Sequence, residues 1–182
     1  LKLFLEKIGV LSKIDFDIEE VGEPIPFRWG KCKLATVSFG HGITTTPLQL
    51  AKGYAIIANG GFEIKPTLIK KSLKKNYKKK RIIKEGVSEK INEILRKIVI
   101  TKEGTAGFAN IDGYEIGGKT GTAEKAIVGG YTRKAKVNTF ASIFPTSKPK
   151  YVMIVLLDEP KTSEDYIYKY KNKSGSYKGT PF

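Results

Sequence analysis

The sequence predicts an α+β fold in which an antiparallel sheet carries packed helices. Three observations support this. Two segments with helical apolar spacing fill the first hundred residues, at 47–58 and 88–99. Three strand-like runs follow, at 114–122, 137–145 and 151–158. The last two runs are joined only by Thr146-Ser147-Lys148-Pro149-Lys150, a turn-rich link short enough to force an antiparallel hairpin. Helices first and strands afterwards give a layered α+β arrangement rather than alternating βα units.

In chain order, Leu1, Phe4, Leu5 and Ile8 repeat at helical spacing, with Gly9 as the stop. The absence of a capping residue ahead of Leu1 suggests truncation, and the absence of an initiator methionine is read as a chain cut from something longer or one with an unusual start. Asp15–Trp29 contains Gly22, Pro24 and Pro26 and reads as a loop, with Phe27 and Trp29 expected as anchors packing on the sheet. Residues 31–40 read as a transition into the turn Gly40-His41-Gly42. His41 is expected to be a turn residue and Cys32 a small buried one.

The clearest local signal begins at Thr46, a good N-cap followed by Pro47 at N1 and by Gln49, which completes a capping box. Leu48, Leu50, Ala51, Tyr54, Ala55, Ile57 and Ala58 make a broad apolar face, so this helix must be buried on most sides. Asn59-Gly60-Gly61 stops it. The second helix is expected to be capped by Ser88, to carry the stripe Ile91, Ile94, Leu95, Ile98 and Val99, and to end at Gly104. The polar tail, residues 162–182, is expected to be poorly ordered.

The chain has 182 residues, enough for one domain that hides roughly 70% of its unfolded surface. Its net charge of +15 raises the reading of a nucleic-acid or anionic-surface binder, and residues 70–84 concentrate that charge. The excess is lysine, with arginine only at 28, 81, 96 and 133, whereas phosphate and base readers favour the planar arginine fork. A solvated lysine-rich loop is the plainer reading, and no specific nucleic-acid partner is expected. The longest apolar run, 152–157, is far too short to span a membrane as a helix. One cysteine allows no internal disulfide. No cofactor or metal is expected.

The chemistry concentrates in GGKTGTAEK, residues 117–125. One reading is a phosphate loop, since Gly113, Gly118, Lys119 and Thr120 fit G-x-x-x-x-G-K-[ST]. Val152–Leu157 followed by Asp158-Glu159 resembles the strand and acidic pair of such an NTPase. That loop needs a buried strand before Gly113 and a long helix after Lys119. The residues present supply neither, so the phosphate loses its helix-end cradle. The favoured reading is a strand bearing K-T-G-T. Gly117, Gly118 and Gly121 would let another backbone lie close, as a peptide adding itself to the edge. Thr120 and Thr122 repeat at strand period on one face, and two hydroxyls beside the Lys119 ammonium would seat a carboxylate. Asp158 and Glu159 are then a solvated strand end.

Four blocks occur in order: Ser38–Gly61 (SFGHGITTTPLQLAKGYAIIANGG), Val99–Ala106 (VITKEGTA), Gly117–Lys125, and Phe140–Lys161 (FASIFPTSKPKYVMIVLLDEPK). Together they resemble the transpeptidase domain of class B penicillin-binding proteins, the cell-division type above all. The resemblance covers residues 1–161 and implies the C-terminal portion of a transpeptidase fold of the penicillin-binding and β-lactamase kind. It implies serine acyl transfer on D-Ala-D-Ala stem peptides in cell-wall synthesis, at the inner membrane facing the periplasm. Partners would be the stem peptide or a β-lactam, and the upstream portion of the same domain. Carried over, Lys119 would hold the site's electrostatics. The hydroxyls of Thr120 and Thr122 would bind the terminal carboxylate, with Gly118 and Gly121 in the same seat. The backbone N–H of Thr122 would be an oxyanion donor, of a kind worth about 3 kcal/mol. The family's S-x-N motif occurs nowhere in this sequence. S-x-x-K occurs only at Ser72/Lys75 and Ser147/Lys150, at the frequency chance predicts and away from the family's positions. The expectation is therefore a chain without acyl transfer of its own.

Overall fold

The structure, a computed structural model, describes residues 1–19, 21–26, 28–70, 80–127, 130–161, 167–171 and 177–181. Four α-helices precede the strands: α1 (Lys2–Lys7), α2 (Lys31–Ser38), α3 (Pro47–Ala58) and α4 (Glu85–Ile100). A short 3₁₀ turn, Gly107–Ala109, leads into β1 (Gly117–Ile127), β2 (Gly130–Phe144) and β3 (Tyr151–Asp158), and β4 (Ile167–Lys171) and β5 (Tyr177–Pro181) follow. The sheet order is β1-β2-β3, and the short links between these strands require antiparallel neighbours. Ser142 Oγ donates to Met153 O at 3.2 Å, and Glu159 N donates to Lys136 O at 2.9 Å.

By its contacts the chain divides into two compact units, residues 1–120 with 140–155, and residues 121–139 with 156–182. Among the described residues, the first unit holds all four α-helices. In it, α3 forms as its sequence dictates: Gln49 N donates to Thr46 Oγ1 at 3.2 Å, and Thr46 N donates to Gln49 Oε1 at 2.7 Å. Gln49 is fully buried, which the cap alone would not justify. Its Nε2 donates to Ser12 O, so the same amide closes the cap and ties α3 to the loop after α1. Asn59 ends the helix, and Gly60 and Gly61 both take positive φ. A side chain at Gly61 would also stand 2.0 Å from Ile83 O, because the segment after α3 lies directly against the one before α4. Ile82 N and Ile83 N both donate to Gly61 O.

Ile8, Val10, Ile56 and Ile83 form one core cluster, and Ala58, Leu95 and Ile143 form another that Tyr54, Ile91, Ile98 and Val152 enclose. The second cluster places α3 and α4 on one face of the sheet. Burial pushes the Tyr54 phenol up from its ordinary value.

Several expectations change. Residues 31–38 form a helix, α2, with Gly30 as N-cap; its apolar residues have no one-sided spacing, so no period signalled it. Helix α4 begins at Glu85, and Ser88, read as its cap, is instead buried in its first turns with its hydroxyl donating to Ile57 O. Within the expected stripe, Leu95 and Val99 are buried, whereas Ile94 is 47% exposed. Cys32, expected to be buried, is exposed. The Lys2 ammonium of α1 lies over the Trp29 ring, 5.9 Å from its centroid, and Phe27 falls outside the described residues. Among the described residues of 162–182, β4 pairs with β5 antiparallel, Ile167 opposite Pro181 and Lys171 opposite Tyr177. Ile167, Tyr168, Tyr170 and Tyr177 are good strand formers.

Candidate functional site

The K-T-G-T residues lie on β1, an end strand of the sheet, and β1 continues through Lys119 to Ile127. This overturns the phosphate-loop reading of residues 113–120, since Lys119 precedes more strand and no helix N-terminus. Gly113 sits at φ +85 in a turn after a 3₁₀ segment rather than at the end of a strand.

The three glycines of the motif serve different ends. A Cβ on Gly117 would meet Thr146 Cγ2 at 2.5 Å and the α4 backbone at Arg96 N at 3.0 Å. A Cβ on Gly118 would meet the Phe140 ring at 2.7 Å and Ala141 O at 2.8 Å. Both glycines are buried, so they are glycine because the protein packs its own atoms against them. Gly121 has nothing within 4 Å of its Cβ position and is exposed. Of the three, only Gly121 presents open backbone, which corrects the common reason given for all of them.

Lys119 is exposed, and its Nζ donates to Thr120 O at 2.6 Å. Thr120 is half-buried, and its Oγ1 donates to Thr105 Oγ1 at 2.8 Å. Thr122 is exposed. Thr105 is the residue that the sequence reading missed. It lay inside the matched block 99–106, but nothing in a linear sequence says that the loop after α4 returns to β1.

The approach to β1 is braced. Arg96 Nη1 donates to Ile116 O at 2.8 Å, and Thr146 N donates to Glu115 O at 3.0 Å. Glu115, at the left-handed φ of +47, accepts from both the hydroxyl and the N–H of Ser147. The Ser147 hydroxyl, then its N–H, and the nearby Arg96 charge hold the Glu115 carboxyl below its usual range. Ser147, one of the two S-x-x-K serines, is thus engaged in a turn. The other, Ser72, lies outside the described residues, as does most of the lysine run (71–79).

In the second unit Lys125 Nζ donates to Asp158 Oδ2 at 2.9 Å and Glu159 Oε1 at 2.7 Å. The strand end expected to be merely solvated therefore holds an ion pair. Asp158 first and then Glu159 push the Lys125 ammonium above its ordinary value. Among the described residues no group of His, Cys, Asp or Glu could hold a metal ion, and no helix is long and apolar enough to cross a membrane.

Fold and strand define the class: an α+β domain whose antiparallel sheet ends in a strand reading K-T-G-T. Residues 2–177 match the model of the penicillin binding protein transpeptidase domain, and the chain belongs to that family. It is 34% identical over 171 residues to the probable peptidoglycan D,D-transpeptidase FtsI of Caulobacter vibrioides, covering 88% of this chain and 29% of that protein. It is 33% identical over 171 residues to stage V sporulation protein D of Bacillus subtilis, covering 87% of this chain and 26% of that one. The chain thus spans under a third of the length of these relatives. Among solved structures, the apo transpeptidase domain of Burkholderia pseudomallei penicillin-binding protein 3 superposes with a TM-score of 0.79 at 26% identity, over 87% of this chain and 49% of that one. Penicillin-binding protein 3 of Mycobacterium tuberculosis, solved in complex with aztreonam, gives 0.77 at 26% identity, over 87% and 40%.

Proposed function

We propose that this chain carries the carboxylate-recognising part of a peptidoglycan D,D-transpeptidase, which acts by serine acyl transfer on D-Ala-D-Ala stem peptides and is trapped by β-lactams. In this reading Lys119 supplies positive charge and Thr120 and Thr122 donate hydroxyls to the terminal carboxylate. The open backbone at Gly121 lets the peptide lie along β1, and the N–H of Thr122 donates to the oxyanion. Gly118 contributes by letting the strand sit flat on Phe140. The protein would work at the inner membrane facing the periplasm. Its partners would be the stem peptide and the rest of the transpeptidase domain.

One observation carries the reading: Lys119 and Thr120 lie on an end strand, the ammonium exposed and the threonine hydroxyl held by a second hydroxyl. That is a set of donors suited to an anion with two oxygens. Acyl transfer also needs a nucleophile. The sequence has no S-x-N, and the Ser147 hydroxyl is bound to Glu115. The chain alone is therefore expected to bind and not to react. Incubation with a fluorescent penicillin should leave its mass unchanged. Titration with a D-alanyl-D-alanine peptide should perturb residues 119–122 in NMR spectra. A covalent penicilloyl adduct would overturn the expected inactivity, and perturbation elsewhere only would overturn the assigned seat.

A further inference from the structure

We propose that Thr105 is a positioning residue for the carboxylate seat, acting through the hydroxyl of Thr120. This rests on the reading of residues 119–122 as that seat, and it adds a residue from a different part of the chain. Thr105 Oγ1 lies 2.8 Å from Thr120 Oγ1, across fifteen residues of sequence.

Thr105 is held in place from both sides. Before it, Gly104 lies so close to the last turn of α4 that a Cβ would stand 1.9 Å from Ile98 O. Gly104 N donates to Thr101 O at 3.1 Å, closing a tight turn. After it, Ala106 is 5% exposed and its N–H donates to the same Ile98 O. The loop is thus pinned to the end of α4, while the Thr105 side chain points out of it to Thr120.

The chemistry follows from counting protons. A threonine hydroxyl offers one donor and two acceptor sites, so two hydroxyls in mutual contact hold two protons. A bound carboxylate brings none. In the free chain Thr120 donates to Thr105; when the acid binds at Thr120, the Thr120 proton turns to the acid and the pair reverses, so that Thr105 donates to Thr120. That chain fixes the Thr120 hydroxyl rotor, and each bond polarises the next. Without Thr105, Thr120 remains but its proton is free to rotate away.

The experiment is a double-substitution cycle read by NMR titration with N-acetyl-D-alanyl-D-alanine, using its C-terminal amide as control. Thr105→Val should weaken binding of the acid by up to about tenfold, the upper end for a neutral hydroxyl–hydroxyl bond that orients the Thr120 donor. The same substitution in a Thr120→Val background should cost nothing further, and Thr105→Ser should restore binding. Thr105→Ala serves as a second deletion of the hydroxyl, and thermal melts of each variant report the fold. A purely structural role would weaken binding equally with and without Thr120, so additive losses overturn the proposal. Acid binding that Thr105→Val and Thr105→Ala leave unchanged overturns it alone. A wild-type chain that binds neither acid nor amide overturns the seat itself, and this inference falls with it.

Discussion

Gly117-Gly118 and Gly121 are the same residue on the same strand, yet the structure asks opposite things of them. At the first pair a side chain would collide with the protein itself: the α4 backbone and Thr146 on one side of the strand, the Phe140 ring on the other. At Gly121 a side chain would meet nothing. A glycine-rich motif read from sequence looks like one device for admitting a ligand. The fold divides it into a buried part that seats the strand and an open part available to a partner.

Three measurements would break or sharpen that contrast. Gly117→Ala should give the largest effect, because the new methyl must displace backbone that cannot swing aside. A loss of about 1–3 kcal/mol is expected, read from the urea midpoint at constant m. Gly121→Ala should stay within about 0.5 kcal/mol of the parent, since alanine suits an extended strand no worse than glycine. The same substitution should nevertheless weaken the peptide binding seen by NMR. Equal destabilisation at both positions would remove the distinction. The smallest effect belongs to Glu115, just before the strand. Its folded pKa lies below the ordinary value, so its contribution to stability is present above the unfolded pKa and is lost as pH falls through the folded one. The group is exposed, and solvent keeps that contribution small. Glu115→Gln should flatten the acid limb of stability against pH, measured by thermal melts from neutral to acid pH. It should leave the neutral and alkaline limbs parallel to the parent.

The elements that were legible in advance have local causes. The cap at Thr46, the proline at 47 and the glutamine at 49 act within one turn, and α3 forms over 47–58. The run 151–158 has the apolar, β-branched character of a strand and is one. What was illegible depends on contacts. Ser88 looks like a cap because serine caps many helices, but its hydroxyl donates to the carbonyl of Ile57, and α4 is capped at Lys84, four residues earlier. Lys125, Asp158 and Glu159 show no relation along the chain until the turn of the sheet brings their charges together.

By itself the sequence determined the α+β class, the positions of α3 and β3, and the K-T-G-T strand, because periodicity, capping and glycine spacing act over a few residues. Only the tertiary structure decided which glycines are packed and which open, and that Thr105 meets Thr120. Those outcomes depend on how the end of α4 lies against β1 and β2, and no short stretch of chain encodes a distance between segments that meet only after folding.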